Sequence, residues 1–293
     1  MVDRVFTPTE KGILILFFLS GACGLIYETA WTRLLSQIYG STVYAVSTIL
    51  ASFMAGLAIG SYYFGRLADV RKNPIKFYAF LELGIGIYAL FSPLLLGNLN
   101  PLYIWVYHHV ADFRVVYLLS LFAITFTLLL IPTIMMGGTL PVLSKFFINR
   151  QEVLGRKIGN LYSFNTFGAM FGCFTTGFLL IGTMGIKWTI YLAAFINIFI
   201  FIVLLAGSRY FPSVGKNDKR EEGETKQIRG KWISDRTVLL ILVAFSLSGF
   251  AALGYEVIWS RGLIFYLGNS TWAFTTMLTI FLGGLAFGSL LIR

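Results

Sequence analysis

The feature that most constrains this chain is a series of unbroken apolar segments, each long enough to cross a bilayer as a helix. Eight can be drawn, at residues 12–35, 43–65, 75–96, 115–136, 158–181, 186–206, 237–264 and 271–292. A span needs roughly 20 apolar residues, because the hydrocarbon core is about 30 Å thick and a helix rises about 1.5 Å per residue. The segments are continuous and do not alternate between polar and apolar, which excludes a β-barrel. Only 12% of the residues are charged and 57% are hydrophobic. Soluble domains carry about a quarter charged residues, so soluble enzymes, disordered tails and disulfide-stapled modules are excluded as well. The expected fold class is an all-α polytopic membrane protein.

The formal net charge of +10 resembles a nucleic-acid footprint until the charges are placed. Nineteen of the basic residues fall on one side of the drawn spans, against Arg114 and Lys187 on the other. The positive-inside rule accounts for that bias without a nucleic-acid partner. It predicts a multi-pass protein of the cell (inner) membrane, with the N-terminus and the 207–236 loop in the cytoplasm. No cleavable signal peptide is evident, so the first span is expected to act as its own insertion signal. Segment 100–113 carries Tyr103, Trp105 and Tyr107, the aromatic content of a helix at the membrane surface. His108 and His109 are adjacent, which points their side chains apart on a helix. Cys23 and Cys173 lie inside apolar spans and read as small core residues. Neither pair suggests a metal site, and no cofactor or catalytic residue is indicated.

A second signal is self-similarity. Residues 20–61 align without a gap to residues 248–289 at a constant offset of 228, with 18 identities in 42 positions. The matched pairs include Tyr27/Tyr255, Glu28/Glu256, Trp31/Trp259, Arg33/Arg261 and Gly40/Gly268. Shared hydrophobicity supplies Leu and Ala matches by chance, but not a Glu, a Trp and an Arg in register. Six spans separate the copies, so both are expected to thread the membrane in the same sense. That is the arrangement of parallel six-helix halves in major-facilitator-like bundles. The chain then divides into a first repeat at 1–206, a polar linker at 207–236, and the start of a second repeat at 237–293. The second repeat holds two spans where the first holds six, so truncation is expected.

Several runs carry a family resemblance: SGACGLIYETAWTRLL, GSTVYAVSTILASFMAGLAIGSYYFGRLAD, LLLIPTIMMGGTLPVLSKFF and GNLYSFNTFGAMFGCFTTGFLLIGTMG. Together they resemble the membrane part of fused MFS/spermidine synthase-like proteins, over nearly the whole chain. The resemblance implies a transporter-like membrane domain handling polyamines or related cations. It also implies an aminopropyltransferase domain or subunit as partner, for which this chain would otherwise serve as anchor. No βαβ segment or glycine loop is present, so aminopropyl transfer is not expected of these residues themselves. GRLADVRK further resembles the loop signature of major facilitator transporters, with Gly65, Asp69 and Arg71 at matching positions and the second Gly missing.

Ionisable residues inside spans are costly and normally face a bundle interior or a wet cavity. Here they are Glu28, Arg33, Glu82, Glu256 and Arg261. Two readings follow. Glu28 and Glu256, with Tyr27, Tyr255, Trp31 and Trp259, form an aromatic-walled anionic site for an organic cation. Alternatively, the carboxylates and Arg33, Glu82 and Arg261 form intramembrane ion pairs that lock helices within each half. Small-residue rows (Ser52, Gly56 and Gly60; Gly284 and Gly288; Gly168 and Gly172) predict close helix packing. Pro132 and Pro141 around Gly137 and Gly138 predict a kink or break. Asn160, Asn165 and Asn197 are expected to bond between helices.

Overall fold

The computed structural model describes residues 8–40, 42–71, 73–110, 113–147, 154–207 and 235–291. The described residues are helical, with no strand among them. The elements are α1 (Pro8–Tyr39), α2 (Thr42–Val70), α3 (Pro74–Gly97), α4 (Leu99–Val110), α5 (Arg114–Phe147), α6 (Leu154–Thr175), a π turn (Thr176–Leu180), α7 (Ile181–Gly207), α8 (Asp235–Leu267) and α9 (Ser270–Leu291). Seven helical runs are long and apolar enough to span a membrane. The longest, Lys157–Gly207, holds two of the eight expected spans. They meet at Gly185, whose φ of 79° is non-helical and open to a residue without Cβ. The 207–236 linker lies almost wholly outside the described residues.

Of the kink or break expected at the end of the fourth span, the break does not occur. α5 runs through Pro132 and Pro141 to Phe147. Pro132 supplies no N–H to the carbonyl of Leu128 four residues back, and the Tyr88 hydroxyl donates to that oxygen instead, at 2.7 Å. Gly137 and Gly138 serve contact with α2, not a hinge. A Cβ on Gly137 would lie 2.5 Å from the Leu57 carbonyl oxygen, and one on Gly138 2.5 Å from the Phe64 ring. From the other side, a Cβ on Gly60 would stand 1.9 Å from the carbonyl oxygen of Ile134. Small residues on both helices thus bring α2 and α5 backbone to backbone, which is how helices associate where lipid removes the hydrophobic drive.

α1 is the most enclosed helix. Phe17, Cys23, Tyr27, Ala30, Trp31 and Leu35 are fully buried, and α2, α3, α6 and α7 pack around it. Cys23 and Cys173 are free and buried, as core residues. The aromatic segment forms α4, anchored by Tyr103, whose hydroxyl lies 2.5 Å from that of Thr125. α8 sits at the opposite extreme, with none of its most apolar stretch buried.

The two α–turn–α corners of the repeat match in backbone geometry. Gly40 and Gly268, each after the first helix of its copy, both have φ of 63°. This left-handed turn closes a helix C-terminus where a Cβ would be strained.

Candidate functional site

A cavity of about 590 Å³ opens between the two copies of the repeat. Its construction follows the offset of 228 found in the sequence. From α1 it receives Gly21, Gly24, Leu25 and Glu28, and from α8 their counterparts Gly249, Ala252, Leu253 and Glu256. α2 supplies Leu50, Phe53, Met54 and Leu57, and α9 supplies Leu278, Phe281, Leu282 and Leu285. Each of these eight positions in the first copy is thus matched in the second. α6 fills a further side with Tyr162, Asn165, Thr166 and Ala169, while Ser20, Ile85, Met136, Thr139, Asn197 and Phe245 complete it.

The charged residues lining the cavity are Glu28 and Glu256. Each is 5% exposed. No ion pair reaches either among the described residues, and Oε1 of Glu256 has no hydrogen-bond partner. Two buried acidic groups thus line one largely apolar-walled space, with no ion pair to either among the described residues. Removing such a group from water costs several kcal/mol unless it is neutralised by a proton or by a partner charge.

The four aromatic residues expected around this site are elsewhere. Tyr27 and Trp31 are fully buried, stacked at 5.2 Å between ring centroids, and turned into the first half. The Tyr27 hydroxyl donates to Asn197 Oδ1 at 2.5 Å, and Trp31 Nε1 donates to Ser92 Oγ at 2.9 Å. Tyr255 and Trp259 stack in the same way at 5.6 Å, but each is 56% exposed. Helical geometry explains the miss. Residues 27 and 31 lie about 100° and 60° to one side of residue 28 around the helix, so they look toward α3 and α7 while Glu28 looks into the cavity.

The expected ion pairs are likewise not formed. Glu82 is wholly buried, and its partners are neutral: Ser20 Oγ donates to Oε1 at 2.6 Å, and Asn197 Nδ2 donates to Oε2 at 2.5 Å. Arg33 and Arg261 stand beside two small hollows near the C-terminal ends of α1 and α8, both of which Ser270 also lines. Neither has a carboxylate within ion-pair distance among the described residues. One element of the loop signature does pair: Lys145 on α5 donates to Asp69, at 3.0 Å to Oδ1 and 2.9 Å to the backbone oxygen. Arg71 instead lies over the Phe77 ring at 5.9 Å, and a Cβ on Gly65 would touch Pro141 at 3.6 Å.

Ser20 and Asn165 are site residues that the charge-based reading passed over. A spacing signal was present, since Ser20, Gly24 and Glu28 follow each other every four residues and share one helix face.

No family model matches this chain, and no solved structure matches it. A curated relative, polyamine aminopropyltransferase 1 of Streptomyces coelicolor, is 25% identical over 175 residues, covering 59% of this chain. The matched segment spans 29% of that protein's length.

Proposed function

We propose that this chain is a transporter-like membrane domain that takes up an organic cation of the polyamine class in the cavity between its repeat copies. What carries the proposal is the placement of Glu28 and Glu256. They occupy equivalent positions of a duplicated sequence, line one cavity and have no cationic side chain paired to them among the described residues. An amine entering from water exchanges its hydration for two carboxylates in a low-dielectric space, where charge attraction is strong. The Leu, Met and Phe side chains between them suit the methylene groups of such a cation. A major-facilitator-like arrangement, with two halves moving about a central site, is the mechanism that a parallel repeat favours. The relative's name supports a polyamine as the cargo, and the uniform sign of the lining charges supports a cation over an anion.

Reconstituted in proteoliposomes, the chain is expected to take up radiolabelled spermidine. Glu28→Gln and Glu256→Gln are each expected to reduce that uptake by about tenfold or more, the loss of one charged contact. Equal flux for wild type and both variants would overturn the proposal. The second reading, an anchor for an aminopropyltransferase without transport, is favoured by the relative's name itself. It predicts no uptake in the same vesicles, together with co-purification of transferase activity with the chain.

A further inference from the structure

The cavity wall carries a second polar pole, away from the carboxylate pair. Ser20 and Glu28 lie on the same continuous helix and both line the cavity. Eight residues separate them, so the two positions stand about 12 Å apart along the axis. The chemistry at Ser20 is set by what lies behind it. Its hydroxyl proton is committed to the buried carboxylate of Glu82, so the lone pairs of Oγ remain for a donor in the cavity. Asn165 is fixed in the same sense. Its Nδ2 donates to the Phe17 carbonyl at 3.0 Å, leaving Oδ1 as an acceptor at the cavity wall. Asn165 also packs on Gly21, the neighbour of Ser20, where a Cβ would sit 2.7 Å from Nδ2. Ser20 on α1 and Asn165 on α6 therefore both line the cavity as neighbours across the helix contact at Gly21, with the carboxylate of Glu82 behind Ser20 and no cationic partner to it among the described residues.

The first pole holds a buried polar atom with no hydrogen-bond partner among the described residues, Oε1 of Glu256, on a side chain 5% exposed and lining the cavity. Much of the remaining wall is apolar, including Leu25, Leu50 and Leu57, with Asn197, Thr139 and Thr166 as polar exceptions. A positive end, an apolar middle and a second N–H-donating end about 12 Å away describe an extended linear polyamine.

Resting on the function proposed above, we infer that the site measures amine length. One ammonium is held by Glu28 and Glu256, and a second is held by Ser20 and Asn165 under the field of Glu82. Short diamines then reach one pole, while long diamines and triamines reach both. The second copy carries no equivalent pole in the cavity, because Ser248, the counterpart of Ser20, does not line it. A bound amine therefore has one preferred direction.

The test is competition for radiolabelled spermidine on the purified full chain in detergent, using straight-chain α,ω-diamines from the three-carbon to the twelve-carbon member. Wild type is expected to prefer the long members by about tenfold over the short ones, the gain from one added charge-assisted contact. In Ser20→Ala and in Glu82→Gln that long-to-short ratio is expected to collapse toward one. In Glu28→Gln every member is expected to weaken together. A flat length profile in wild type, or a ratio untouched by Ser20→Ala and Glu82→Gln, overturns the length-measuring pole while leaving the cation site standing. Failure of every amine to compete overturns both. The wild-type profile needs no variant, so a misfolded Glu82→Gln does not blunt the test.

Discussion

The two copies of the repeat share sequence but not surroundings. On α1, Tyr27 and Trp31 are sealed against α3 and α7, while on α8 the matching Tyr255 and Trp259 stand 56% exposed. On α2, a Cβ on Gly60 would strike the backbone of α5, while the matching Gly288 on α9 has nothing within 4 Å. The cavity-facing positions behave oppositely. Glu28 and Glu256 are buried to the same degree and line the same space. The repeated motif therefore has two faces with separate tasks. One meets the other copy across the cavity and is buried in both. The other packs on α3, α5 and α7 in the first copy, and in the second is exposed among the described residues.

Substitutions made in matched pairs break or sharpen that comparison. The largest difference is expected at the small-residue row. Gly60→Ala forces a Cβ into the Ile134 carbonyl, which cannot rotate aside, and is expected to destabilise by about 3 kcal/mol. Gly288→Ala is expected to change stability by less than about 0.5 kcal/mol. Thermal unfolding in detergent reads both, and equal losses would erase the distinction between the halves.

Next comes the hydroxyl that reaches across helices. Tyr27→Phe leaves Asn197 Oδ1 buried without its donor and is expected to cost about 1.5 kcal/mol. Tyr255→Phe, at an exposed position, is expected to leave the melting curve unchanged. A third pair should agree instead of differ. Gly40→Ala and Gly268→Ala each place a side chain at a φ of 63°, so each is expected to lose about 1 kcal/mol. Unequal losses there would mean that the two corners are not equivalent. The smallest effect is expected for Lys145→Ala. It removes the ion pair to Asp69, whose side chain is 73% exposed, and surface pairs contribute about 0–1 kcal/mol.

Much of this was legible in the residues. The apolar runs located the helices to within a few positions, except where α5 continued past its expected end through Pro141. Proline breaks a helix when its freed carbonyl and its bulk find no accommodation, and here Tyr88 answers for the Leu128 carbonyl. The offset of 228 marked Glu28 and Glu256 as the pair to watch, and they do share a cavity. The aromatic wall was not legible, because adjacency in sequence was taken for adjacency in space. Tyr27 is next to Glu28 in the chain and on a different side of the helix. Glu82 was legible as costly but not as neutral-bonded, since Ser20 and Asn197 lie 62 and 115 residues away.

What the sequence by itself determined is the class of object: helices of membrane-crossing length, a duplication, and an equivalent acidic residue in each copy. Local hydrophobicity and a fixed offset suffice for these, because each depends on residues near in the chain or identical in pattern. Which way each side chain looks was decided only by the tertiary structure. A helix has no preferred face until its neighbours arrive, and close approach at Gly56, Gly60 and Gly137 fixes the rotation of α2 and α5. That rotation, in turn, points one stripe of the repeat into the cavity and the other into the core.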